Sequence, residues 1–76
     1  MITGRQVRAA RAMLRLGTRQ LADRAGVAPA SIVRAEAAED IPGMHTHTLQ
    51  KIQAALEAAG IEFGADGVTV RLRRQR

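Results

Sequence analysis

The sequence predicts a mainly α domain of four helices, closed by a short C-terminal β hairpin. Three observations carry this expectation. Apolar residues recur three and four positions apart in four separate stretches. The second and third of these stretches are short and are split by a glycine, with a proline opening the later one. After Gly60 the pattern changes from helical spacing to alternation on either side of Asp66-Gly67.

The first helix is expected over about residues 4–16. Thr3 with Gln6 three positions on makes a capping box, in which each residue satisfies a backbone N–H near the helix start. Val7, Ala10 and Leu14 follow at helical spacing, with Met13 and Leu16 nearby. Arg8, Arg11 and Arg15 fall along one side, and Gly17 is expected to stop the helix. The second helix, about 18–25, carries Leu21, Ala22 and Ala25. Gly26 stands where a left-handed residue ends a helix at little cost. The third helix, about 29–37, opens on Pro29, which needs no amide hydrogen at a first helical position. It returns Ile32, Ala35 and Glu36 to one face.

Residues 38–45, "AEDIPGMH", hold Pro42 and Gly43 and read as a loop. Thr46 or Thr48 can cap a fourth helix over about 46–59, striped by Leu49, Ile52, Leu56 and Ala59. The β segment covers about 61–72, where Ile61-Glu62-Phe63 and Val68-Thr69-Val70-Arg71-Leu72 alternate about Asp66-Gly67, a strong hairpin signal. With no repeat and no low-complexity linker, residues 1–76 read as one domain.

A chain of 76 residues buries only about 60% of its surface on folding. The core is thinner than the 46% hydrophobic content suggests, because much of that is alanine and there is one Phe with no Trp or Tyr. Dimerisation is a common support for so small a core. The absence of cysteine rules out a disulfide framework or a thiolate metal site and fits a reducing compartment. No apolar run is long enough to span a bilayer, and Arg5 and Arg8 come before any apolar leader. The expected location is the cytoplasm, with no membrane partner.

The net charge of +5 is unevenly placed. Residues 1–24 hold six Arg against one Asp, residues 35–66 hold six acids against one Lys, and residues 67–76 hold four Arg. Eleven of the twelve cations are Arg, whose planar fork suits phosphate and guanine. This points to a polyanion partner.

Two short helices joined by a glycine turn behind a longer helix form a helix-turn-helix arrangement. Small Ala22 permits the close crossing, Gly26 takes the turn, and Val27 and Ile32 plug the core. The free face of the later helix is narrow enough for a DNA major groove. The stretch "QVRAARAMLRLGTRQLADRAGVAPASIVRAEA", residues 6–37, resembles the Cro/C1-type (XRE-like) helix-turn-helix family of transcriptional regulators. Leu21-Ala22, Ala25-Gly26-Val27, Ile32 and Glu36 match its recurring positions, and "LQKIQAALEAAGIEF" with "DGVTVRLR" looks like the tail of small bacterial and phage-related members.

The resemblance implies roles. Arg11 and Glu36 match a pair that commonly forms a structural salt bridge. Thr18, where the family usually has Gln, and Arg19 beside it are phosphate contacts. Base readout falls to Pro29, Ala30, Val33 and Arg34, with Ser31 as a phosphate or base contact. Pro29, Ala30 and Val33 can only touch thymine methyls, so Arg34 is the one long donor: it contacts guanine, or else a phosphate, Glu39 or Asp40. So few polar readers leave part of any specificity to DNA shape. Thr46, His47 and Thr48 open the fourth helix near a phosphate. His45 and His47, without Cys or further His, do not suggest metal, and no cofactor is expected. The arginines of "RLRRQR" either follow a DNA backbone or keep a strand edge solvated.

The hairpin implies a homodimer through Ile61, Phe63, Val68, Val70 and Leu72, and hence an inverted-repeat operator on double-stranded DNA. Family members more often dimerise through a fifth helix. Catalysis finds no support, for the chain has no Gly-rich phosphate loop and no nucleophile beside a base. The function expected is therefore a sequence-specific transcriptional regulator. The alternatives are an antitoxin or antiactivator whose main role is binding a protein, and a non-specific nucleic-acid binder. RNA polymerase or a toxin is the kind of protein partner in view, with the acidic stretch from Glu36 to Asp40 as a hint.

Overall fold

The computed structural model describes residues 2–41 and 43–73. Pro42 and the arginines Arg74 and Arg76 lie outside the described residues. Four helices come first: α1 (Gly4–Leu14), α2 (Thr18–Ala25), α3 (Pro29–Ala37) and α4 (Thr46–Ala58). Two antiparallel strands follow, β1 (Ile61–Phe63) and β2 (Val70–Leu72). The protein is mainly helical with a small two-stranded sheet. No helix among the described residues is long and apolar enough to cross a membrane.

The capping box forms at the start of α1. Thr3 Oγ1 accepts from the Gln6 amide at 3.2 Å, and Gln6 Oε1 accepts from the Thr3 amide at 3.0 Å. The same two side chains then reach across the molecule. Thr3 Oγ1 donates to the Gly67 carbonyl, and Gln6 Nε2 donates to the carbonyls of Gly64 and Thr69. Gln6 is fully buried, and these bonds meet its amide's needs. They also fasten the hairpin to α1.

The first helix ends two residues before the expected boundary. Arg15 adopts the left-handed conformation, with φ 56°. Its amide donates to the Ala12 carbonyl and that of Leu16 to the Arg11 carbonyl. This is the Schellman arrangement, in which glycine is usual. The expectation of a stop at Gly17 failed because an arginine took the strained position. Gly26 does close α2 in that conformation, at φ 70°. Pro29 opens α3, and α4 ends at Ala58, one residue short of expectation.

The core is Val7 and Ala10 of α1, Leu21 and Ala22 of α2, Ile32 and Ala35 of α3, Leu49, Ile52 and Leu56 of α4, with Ile2 and Ile61. Helix α2 packs on α3 and α4, α1 packs on α3 and β2, and β1 packs on α4. Where α1 meets the end of α3 the backbones nearly touch: the Gly4 amide donates to the Asp40 carbonyl at 3.0 Å. A Cβ at Gly4 would overlap the carbonyl oxygens of Ala38 and Ala35.

The strands pair Ile61 with Leu72, Glu62 with Arg71 and Phe63 with Val70. Directly paired residues share a face, so the apolar pairs lie on one side and Glu62 and Arg71 on the other. That other side carries an ion pair, Arg71 Nε to Glu62 Oε1 at 3.0 Å. The apolar side is turned inward. Ile61 is buried in the core, with half-buried Phe63 and Val70 packed against it. Strand β2 also starts later than the alternation from Val68 implied, because Asp66 draws Val68 and Thr69 into the turn. Its carboxylate accepts from both amides and from Thr69 Oγ1, which holds its pKa down to about 2.

Candidate nucleic-acid interface

Helix α3 divides its residues by the helical period. Ser31, Ile32 and Ala35 face inward, and Pro29, Ala30, Val33 and Arg34 are exposed. Val33 is 59% exposed, a branched apolar side chain with nothing over it. Arg34 makes no ion pair with Glu39 or Asp40 among the described residues. Ser31 departs from the expected set of outward base readers. It is only 9% exposed, because it lies four residues before Ala35 on the inner side of the helix.

Helix α3 is held from two directions. Behind it, α2 lays Leu21 and Ala22 against Ile32 and Ala35 in the core. At its C-terminal end, Arg11 grips Glu36 with two bonds, Nε to Oε2 at 2.6 Å and Nη2 to Oε1 at 3.0 Å. The Glu36 hydrogen bond raises the Arg11 pKa above the usual guanidinium range, outweighing the opposing effect of burial. Arg11 Nη1 also donates to the Leu16 carbonyl, and Arg8 Nη1 to the Glu36 carbonyl. One guanidinium thus ties together the last turns of α1 and α3 and the connection leading to α2. Glu36 is engaged inside the fold and does not belong to a free acidic surface with Glu39 and Asp40.

Between α3 and the start of α4 lies a shallow hollow of about 160 Å³, lined by Ser31, Arg34, Gly43, Met44, His45 and Thr48. It brings two sequence-predicted residues of α3 beside one of α4. The Ser31 hydroxyl, though nine-tenths buried, has no hydrogen-bond partner among the described residues. Thr46 and His47 are exposed on the opening turn of α4 but do not line the hollow. His45 does, and it was not among the residues expected to bind. Its signal was present, since the residue before a helix helps form the mouth of that helix's N-terminus. Thr18 and Arg19 open α2 outside the hollow, Thr18 half-buried and Arg19 exposed.

The C-terminal arginines that are described have partners elsewhere. Arg71 pairs with Glu62, and Arg73 Nη2 donates to the Glu57 carbonyl near the end of α4. A cation there satisfies a carbonyl that the helix leaves open and complements the helix dipole. With 13 residues, α4 is about 20 Å long. The hairpin and Arg73 stand at its far end from the hollow.

The dimerisation set is altered as well. Ile61 is 1% exposed and serves this chain's own core, so it is not available to a second copy. Of the five residues expected at a dimer contact, Val68 and Leu72 are exposed. No family model matches the chain, and no curated protein matches it.

Proposed function

We propose that the chain is a sequence-specific DNA-binding transcriptional regulator, with α2 and α3 as a Cro/C1-type helix-turn-helix and α3 as the recognition helix. One observation carries this reading. Helix α3 is braced by α2 and pinned by the Arg11–Glu36 pair, yet it leaves Pro29, Ala30, Val33 and Arg34 uncovered. An exposed apolar side chain beside an unpaired guanidinium suits the major groove, where a thymine methyl lies close to guanine acceptors. The hollow at the start of α4 and the exposed Arg19 give the flanking phosphates their contacts. The regulator acts by occupying its operator.

A homodimer on an inverted repeat fits this reading. The hairpin lies at the end of α4 remote from the hollow, and it carries exposed Val68 and Leu72. A second copy joined there leaves both recognition helices free. Selection from a random duplex library, followed by anisotropy titration of the winner and a scrambled duplex, tests the proposal. The expected winner has two half-sites about one helical turn apart and binds at least about a thousandfold more tightly than the scramble. Arg34→Ala should cost about 1–3 kcal/mol on the winner and relax one base position. Arg19→Ala should weaken both duplexes alike and reduce the salt slope by about one. Equal binding of winner and scramble would defeat the reading.

A further inference from the structure

Of the side chains lining the α3–α4 hollow, only Arg34 and His45 can carry a positive charge. We propose that duplex binding is linked to proton uptake at His45: a backbone phosphate seated in the hollow bridges Arg34 and a protonated His45 imidazole, and affinity rises as the pH falls. This inference rests on the DNA reading above.

The hollow suits a phosphate better than a larger ligand. At about 160 Å³ it is smaller than the roughly 300 Å³ at which small-molecule sites begin. Its polar wall is donor-rich. Ser31 presents a hydroxyl that is nine-tenths buried and without a partner among the described residues, and Thr48 adds a second. His45 immediately precedes α4, whose first amides and dipole favour an anion. Arg34 supplies fixed charge from the facing helix. A phosphate oxygen placed here lies within reach of an imidazole at the rim.

Histidine is the side chain whose charge changes between about pH 5 and 8. A neighbouring phosphate favours its protonated form. The other charged groups nearby do not line the hollow: Glu39 and Asp40 lie in the preceding connection, and His47 and Lys51 lie on α4. Helix α1 and the hairpin contribute no residue to it. The complex therefore holds more protons than the free protein, and linkage requires tighter binding at lower pH.

The test is fluorescence anisotropy with a random-sequence duplex of about 20 base pairs, at about pH 8 and about pH 5.5 and constant ionic strength. The full chain is compared with H45Q and H47Q, their folding checked by circular dichroism, and H45N replaces H45Q if the latter does not fold. Wild type should bind about tenfold more tightly at the lower pH, with a salt slope steeper by about one. H47Q should keep that pH response and H45Q should lose it. A response in H45Q equal to wild type, or none in wild type, overturns the inference and leaves the DNA reading intact. Absence of duplex binding at both pH values overturns the DNA reading itself, and the inference with it.

Discussion

Gly4→Ala pits a local gain against a tertiary clash. Alanine is the better helix former, by at most about 1 kcal/mol over glycine. Position 4 is the first residue of α1, and seen alone that helix should welcome the change. The surroundings decide otherwise. A methyl group there would overlap the carbonyl oxygens of Ala38 and Ala35 and come within 2.9 Å of the Ala38 carbonyl carbon. All three are backbone atoms, so no rotamer change relieves the overlap. Helix α1 must move away from α3, straining the Gly4–Asp40 hydrogen bond and the Arg8–Glu36 contact. Overpacking of this kind costs about 1–3 kcal/mol, and the rigid contact puts this site at the upper end. Set against the helical gain, the net loss is about 2 kcal/mol. For a domain of this size that lowers the melting temperature by about 8–16 °C. Thermal melts followed by circular dichroism measure it, with Gly43→Ala as control, since nothing lies within 4 Å of a Cβ there. A Gly4→Ala variant melting at or above wild type would refute the close approach of α1 to α3.

Three further outcomes are expected. A double-mutant cycle with Arg11→Met and Glu36→Gln, read by urea unfolding, should give a coupling of about 1–2 kcal/mol, because the pair is bidentate and its side chains are only 27% and 12% exposed; additive effects would show that the bridge adds nothing. Asp66 titrates lower in the folded protein than in the unfolded chain, so its contribution is present above the usual carboxylate value and is lost as pH falls toward about 2. Amide exchange at Val68 and Thr69 should therefore accelerate on acidification, and in Asp66→Asn this pH-dependent part should disappear. Leu56→Ala empties a fully buried site and should cost about 2–5 kcal/mol, against a total near 4–11 kcal/mol for a chain of this length; a loss under about 1 kcal/mol would place Leu56 outside the core.

The sequence disclosed most where one residue type meets one local need. Thr3 with Gln6, Gly26 after α2 and Pro29 before α3 each answer a backbone demand within a few positions, and each stands where its spacing implied. Arg15 shows the limit of that logic. Its left-handed backbone is one that glycine adopts freely, so reading glycines led to Gly17 and overran the helix. Ser31 was legible in principle, since the helical period that buries Ala35 also turns in the residue four positions before it. Its small polar side chain invited a functional role before its phase on the helix was weighed.

The hairpin shows why the remainder was hidden. Alternation along residues 61–72 correctly separates an apolar face from Glu62 and Arg71, but periodicity does not name the surface that an apolar face meets. A second copy and the chain's own helices satisfy the pattern equally. What decides between them is the set of long-range bonds from Thr3 and Gln6 to Gly64, Gly67 and Thr69, which draw the hairpin onto α1. Those contacts join residues about sixty positions apart, beyond any local pattern. The same holds for the hollow: Ser31, Arg34, His45 and Thr48 become one site only because the start of α4 is laid beside α3. In so small a protein the capping residues of α1 also serve as tertiary anchors. Weakening Gln6 should therefore loosen the hairpin at the far end of α4 while leaving the hollow and the exposed face of α3 in place.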